Sequence, residues 1–530
     1  MIDAGQIPDE PPPGVLRRSY IARHWRGELN LPVSYFANGM LVGFVSFVLI
    51  KALAPMIGRI GTPVGVFAAI VGIWLLALSI ALWQAVGIWR SASRHPARGG
   101  NKGWAVAAKT MVVIGTLQAV YLFGASGIPQ IREGIQIVRG DPSMGAHTVR
   151  VLNNGTELEL AGGITVGVAR EIERVLAENP DIHTVHLNSG GGRIAEAENI
   201  RNLIEQRGLD TYVATECLSA CTIAYLGGKR RFIDPDAKLG FHAGTYPGLL
   251  EADLAAVVRS LIDAAIDRGV DPEFAEMAYM QESGEFWKPD HSALLAAGFV
   301  TEISDGRFAI SGFGVNFTRE DVADQLRTVP MFETLARIDP PRFDQVTMVF
   351  YEGALAGTPL GEVTARSRSV VGNLLIAYAP LASNELLVET IRLLIDELRV
   401  LEAKSSDACF AYLYPELGGL VDLRNYAPPE LWQRDLELTE KVIASGAANE
   451  AQHAQPGDSA KAFDASLALM IDRHGDEVLA DVIALSTNLD GMDKAKVCRT
   501  VLIIYEAVLE QHPDDAAALM RELLAPAAQP

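Results

Sequence analysis

A chain of 530 residues is too long for one ordinary domain, and a net charge of −20 excludes broad electrostatic binding of nucleic acid by most of its length. That charge is uneven: residues 1–130 carry 11 Lys/Arg against 4 Asp/Glu, and the remaining 400 carry 34 against 61. The four cysteines, Cys217, Cys221, Cys409 and Cys498, are too few for a disulfide scaffold.

Three nearly uncharged apolar stretches come first, at residues 34–57, 64–88 and 104–124. Each approaches the ~20 residues that a helix needs to cross ~30 Å of hydrocarbon. Lys51 and Lys109 fall near span ends, where a long cationic side chain can snorkel to the interface. No cleaved secretory signal is expected, because the first apolar run starts late and further spans follow it. Arg17, Arg18, Arg23 and Arg26 precede the first span, and Arg90, Arg94, Arg98 and Lys102 lie between the second and third. The positive-inside rule then places residues 1–31 in the cytoplasm, lets residues 32–126 form three transmembrane helices, and puts everything after about residue 127 outside. In a bacterium with two membranes that outer side is the periplasm. Residues 127–147, with Gly and Pro, read as a polar connector.

From residue 148 the pattern alternates between strand and helix. Asn154-Gly155 between VRVL and ELEL signals a hairpin. A helix ending at Asn179-Pro180, a strand at 183–187, a helix stopped by Gly208 and the strand DTYVA follow. This order implies helices packed on a largely parallel sheet. Leu250, Leu254, Val257, Leu261 and Ala265 mark an amphipathic helix. After about residue 318 helices are expected at 340–356, 384–405, 428–446, 461–474 and 493–511, with a flexible linker at 447–459.

Hydrolysis by a serine needs a base, donors for the oxyanion and a backbone that exposes Oγ. Gly190-Gly191-Gly192, between a strand and a helix, lets the backbone turn and present N–H groups. Ser219, at a strand-to-helix turn among small residues, has the setting of a nucleophile elbow; as a lone residue it would more often serve as a helix cap. His242 stands in an apolar strand end flanked by glycines. His183 and His186, three apart on a strand, face opposite ways and do not share a metal.

Taken together, these segments resemble the proteolytic subunit of the Clp protease, ClpP, over about residues 158–303. LNSGGG resembles that family's NSPGG turn, ECLSACTIAY its nucleophile segment, DPDAKLGFHAG the segment of its catalytic histidine, and ALLAAGFVTEI its last helix and strand. The Cys-x-Ser-Ala-Cys-Thr wording is most similar to an uncharacterised membrane-anchored periplasmic branch. The resemblance implies an α/β ClpP/crotonase-like domain at 148–317, preceded by three transmembrane helices and followed by an all-α domain at 318–530. It implies a serine peptidase acting on a peptide or protein, without cofactor or metal and with no nucleic-acid partner, assembling as a homo-oligomer. By that resemblance Ser219 attacks, His242 accepts its proton, and the Gly192 and Ala220 N–H groups bind the oxyanion. The pattern departs at Gly190, where the family has proline, and at Phe286, where it has its acid. The third member is therefore left between Glu285 and Asp290. Lys238 is the rival base, and an inactive ClpP-like binding or scaffold module is the rival function.

In an oxidising compartment two bridges are open to the cysteines: Cys217–Cys221 beside Ser219, and Cys409–Cys498 within the helical part. The alternative is buried free thiols.

Overall fold

The computed structural model describes residues 19–244, 251–280, 286–419, 421–487 and 489–524. A short helix α1 (Tyr20–Trp25) precedes three long apolar helices, α2 (Val33–Arg59), α3 (Pro63–Arg94) and α4 (Lys102–Val138). At 27, 32 and 37 residues all three are long enough to span a bilayer. Their most apolar stretches are scarcely covered by protein, as helices surrounded by lipid must be.

The expected connector after residue 127 is instead helix. The chain passes through a π-turn at Phe123–Gly127 and stays helical to Val138, because this segment keeps one apolar face for α3. Gly134 lies against Phe67, and Trp74 Nε1 donates to Gln130 Oε1 at 2.9 Å. Nor does Lys51 merely snorkel: its Nζ lies 2.6 Å from both carboxylate oxygens of Asp253. Lys109 Nζ sits 5.2 Å above the Trp89 ring.

Beyond the apolar helices lies a six-stranded sheet. In chain order its strands are β1 (His147–Leu152), β2 (Glu157–Gly162), β3 (Thr184–Asn188), β4 (Asp210–Val213), β6 (Arg231–Ile233) and β8 (Glu302–Ile303), and these are neighbours in that same order. Only β1–β2 is antiparallel; Asn153, Asn154 and Gly155 all take positive φ in its turn, as the Asn-Gly signal requires. A second, two-stranded parallel sheet pairs β5 (Glu216–Leu218) with β7 (Lys238–Gly240). Helices α5 (Val168–Glu178), α6 (Ile194–Arg207) and α7 (Ala220–Tyr225) make the crossovers. The alternation of buried residues such as Leu158, Leu160, Val185 and Leu187 with helix faces such as Ile172, Ile200 and Ile204 forms one continuous core. Helices α8 (Glu251–Asp267), α9 (Pro272–Met280) and α10 (His291–Ala296) close it. Leu250, the first residue of the expected amphipathic pattern, lies outside the described residues.

The region after residue 318 is helical. The five expected helices are found as Pro340–Ala356, Asn384–Lys404, Pro429–Ala447, Ser459–His474 and Lys494–Leu509. Further helices, among them Leu360–Tyr378 and Glu477–Thr487, lie between them. The stretch at 447–459 is not a free tether. Asn384 Nδ2 donates to Gln455 O at 3.0 Å, Asp458 N–H donates to Asp515 Oδ1 at 2.9 Å, and a side chain at Gly457 would strike the backbone of Asp514.

Candidate active site

β5 delivers Ser219 to the start of α7. Six described non-glycine residues have positive φ; five are Asn or Asp, whose side chains tolerate it, and the sixth is Ser219, at φ 53° and ψ −126°. That sharp, strained turn lifts the hydroxyl off the backbone, as a nucleophile elbow does. Its N–H is held by Gly240 O of β7 at 2.8 Å. Two residues farther along, His242 turns its Nε2 to 2.6 Å from Ser219 Oγ. The pairing of β5 with β7 therefore fixes the separation of hydroxyl and imidazole, which a residue count does not.

The glycine turn arrives from β3. Gly191 (φ 105°) packs so closely that a Cβ there would sit 2.7 Å from Ser219 Cβ and 2.8 Å from Leu218 O. Gly192 bridges to Ile164, and neither its N–H nor that of Ala220 has an acceptor among the described residues. Two undirected donors beside the hydroxyl are what an oxyanion hole offers. A cavity of about 20 Å³ adjoins Ser219, lined by Ile194, Ile223, Phe241, Val258, Leu261 and Tyr279; it is apolar and holds little more than one water.

The other candidates are spread out. Asp290 caps α10, accepting from Ala293 N at 2.8 Å and Ser292 Oγ at 2.7 Å, which holds its carboxyl below the usual carboxylate range. Glu285 lies outside the described residues. Phe286 stands edge-on to the His242 ring at 4.9 Å, and no carboxylate reaches that ring among the described residues. Lys238 lies at the exposed start of β7. Cys217 and Cys221 are joined in a disulfide around Ser219, with Cα atoms 5.3 Å apart; Cys409 and Cys498 form a second, with Cα atoms 6.2 Å apart.

Two features behind the site were given no role by the sequence. His186 is fully buried, with Nε2 at 2.8 Å from Glu157 Oε2 and Nδ1 at 2.8 Å from Ser311 Oγ. Burial opposes the charge on Glu157, but hydrogen bonds from His186, Ala309 N–H and Asn153 outweigh it and hold its pKa below the usual range. Glu159, beside it, accepts from Arg150, from Asn188 Nδ2 at 3.1 Å and from Gly312 N–H at 2.8 Å. Asn188 Oδ1 in turn receives the N–H groups of Ala214 and Thr215, both at 3.1 Å, on the way to β5. The second feature is Arg193, directly after the glycines, which reaches Asp141 and Glu133.

No family model matches the chain, and no curated protein matches it. Among solved structures, ClpP1 from Listeria monocytogenes is similar over 28% of this chain and 92% of its own, at 16% identity and a TM-score of 0.26. A point mutant of that protein covers the same shares at 18% identity and 0.25. A serine-to-alanine mutant of the membrane-bound stomatin-specific protease 1510-N is similar over 29% of this chain and 86% of its own, at 15% identity and 0.23. The argument for class rests on the chain's own strand order, glycine turn and elbow. These define an α/β fold of helices on a largely parallel sheet with a serine and a histidine brought together at an elbow, here joined to three apolar helices long enough to span a membrane and to a helical C-terminal region.

Proposed function

We propose that the protein is a membrane-anchored serine hydrolase, and specifically a peptidase. Ser219 is the nucleophile, His242 the general base, and the Gly192 and Ala220 N–H groups the oxyanion donors. The observation that carries this reading is the 2.6 Å contact from His242 Nε2 to Oγ of a serine on a strained elbow. In the cycle, His242 takes the hydroxyl proton as Oγ attacks the peptide carbonyl. The carbonyl oxygen gathers charge against the two N–H groups, and the imidazolium returns its proton to the leaving amine, leaving Ser219 acylated; His242 then takes a proton from a water that attacks the ester and passes it to Oγ as the acid product leaves.

The catalytic domain, residues 148–317, lies on the periplasmic side, with the arginines before the first span and between the second and third kept in the cytoplasm. Two disulfides fit an oxidising compartment. A second reading, a binding module that holds a peptide without cutting it, draws on Phe286, which packs on His242 where a carboxylate orients the ring in relatives. A fluorophosphonate probe separates the two. The peptidase reading expects covalent labelling lost in Ser219→Ala; an unlabelled wild-type chain that still binds peptide supports the module.

A further inference from the structure

The glycine turn is tied to the membrane part by side chains that the hydrolytic steps do not use. Arg193 is the N-cap of α6 and follows Gly192 directly. Its N–H donates to Ile164 O at 2.7 Å, and the Ile164 N–H donates to Gly191 O at 2.9 Å. Gly192, between these bonds, is fixed only as firmly as Arg193 and Ile164 are. The Arg193 guanidinium reaches the end of the third membrane helix. Nε donates to Asp141 Oδ2 at 3.2 Å, Nη2 to Asp141 Oδ1, and Nη1 to Glu133 Oε1. Glu133 belongs to α4, and Asp141 lies three residues past its end.

The clamp is built rather than incidental. The Arg193 and Asp141 side chains are 16% and 2% exposed. Asp141 is held at φ 51°, its N–H donating to Gln136 O at 3.0 Å and its C=O accepting from Met144 N–H at 2.9 Å. An exposed ion pair does little to fix geometry, but a bidentate arginine fork largely out of water fixes both distance and direction. A second tie supports the same helix, where Asn199 Nδ2 of α6 donates to Gly58 O near the end of α2 at 2.8 Å.

We propose that Arg193 is a positioning residue through which α4 sets the direction of the Gly192 N–H, so that the membrane anchor forms part of the oxyanion hole. This rests on the peptidase reading above. The test uses the full chain in phosphatidylcholine nanodiscs and a fluorophosphonate probe, with KI and kinact taken from the concentration dependence of labelling. Arg193→Lys keeps the charge and loses the fork; Asp141→Asn and Glu133→Gln keep shape and lose charge. Each is expected to lower kinact by about 10- to 100-fold, the scale of an about 1 Å misplacement. KI and the pH profile of labelling stay as in the wild type. Millimolar guanidinium ion restores part of kinact in Arg193→Ala. Wild-type kinact in all three charge and shape variants overturns the proposal while leaving the peptidase reading intact. So does a fall in kinact that tracks a fall in Tm without guanidinium rescue, which makes the clamp a plain stabilising pair. An unlabelled wild-type chain removes the peptidase reading and this proposal with it.

Discussion

Strain at one residue has a measurable signature. Ser219 takes a positive φ with ψ −126°, outside the left-handed region that Asn154 and Asn449 occupy. Such conformations cost on the order of 1–3 kcal/mol. Ser219→Gly is therefore expected to be more stable than Ser219→Ala by about 1 kcal/mol, read as a higher Tm, while both lose all probe labelling. Equal melting temperatures would show an unstrained elbow. His242→Gln keeps the ring's volume roughly but removes the base, and the labelling rate should fall by about 10²- to 10⁴-fold. If Lys238→Ala, rather than the histidine variant, abolishes labelling, the base is the lysine.

Among elements, the glycine turn tolerates least. Gly191→Ala forces a methyl group against Ser219 Cβ and Leu218 O at a φ of 105°, so it is expected to abolish labelling even where circular dichroism shows the fold retained. Behind the turn, the pair of Glu157 and His186 makes the sheet acid-sensitive. The folded pKa of Glu157 lies below its ordinary value of 4.5, so its stabilisation is complete above that value and is lost as pH falls through the lower, folded one. Glu157→Gln should flatten the acid limb of a Tm-against-pH curve; an unchanged limb assigns the acid sensitivity to other groups.

The elements of the site were readable where their signals are local. Asn-Gly in a hairpin, glycines after a strand and a serine before a helix are short-range patterns, and the family resemblance added His242. What stayed illegible is long-range. Arg193 meets partners 52 and 60 residues away, and His186 meets Ser311 at a separation of 125. No periodicity encodes those meetings. The extension of α4 past residue 127 was hidden because Gly and Pro read locally as a break, whereas packing of Gln130 and Gly134 on α3 decides the conformation.

For the whole molecule, the cysteines and the membrane offer separate checks. Alkylation of denatured, unreduced protein should find no reactive thiol, and four thiols would remove both bridges. In the chain-entropy model the bridge between Cys409 and Cys498, 89 residues apart, contributes about 4 to 5 kcal/mol, so reduction should lower the Tm of the helical region markedly. Protease added to spheroplasts should reach the chain beyond α4 and spare the N-terminus; protection of the sheet reverses the proposed orientation.

The 37 residues of α4 extend to roughly 55 Å at about 1.5 Å per residue, against a hydrocarbon thickness of roughly 30 Å. Since Arg193 is fastened to the far end of that rod, Ser219 is held at a set distance from the rod's apolar stretch. The molecule is in effect a ruler. On the peptidase reading proposed above, a peptide bond would be selected for its distance from the membrane as well as for its side chains, and lengthening α4 by one turn should shift the cleavage position in a membrane-tethered substrate outward by one or two residues of extended chain.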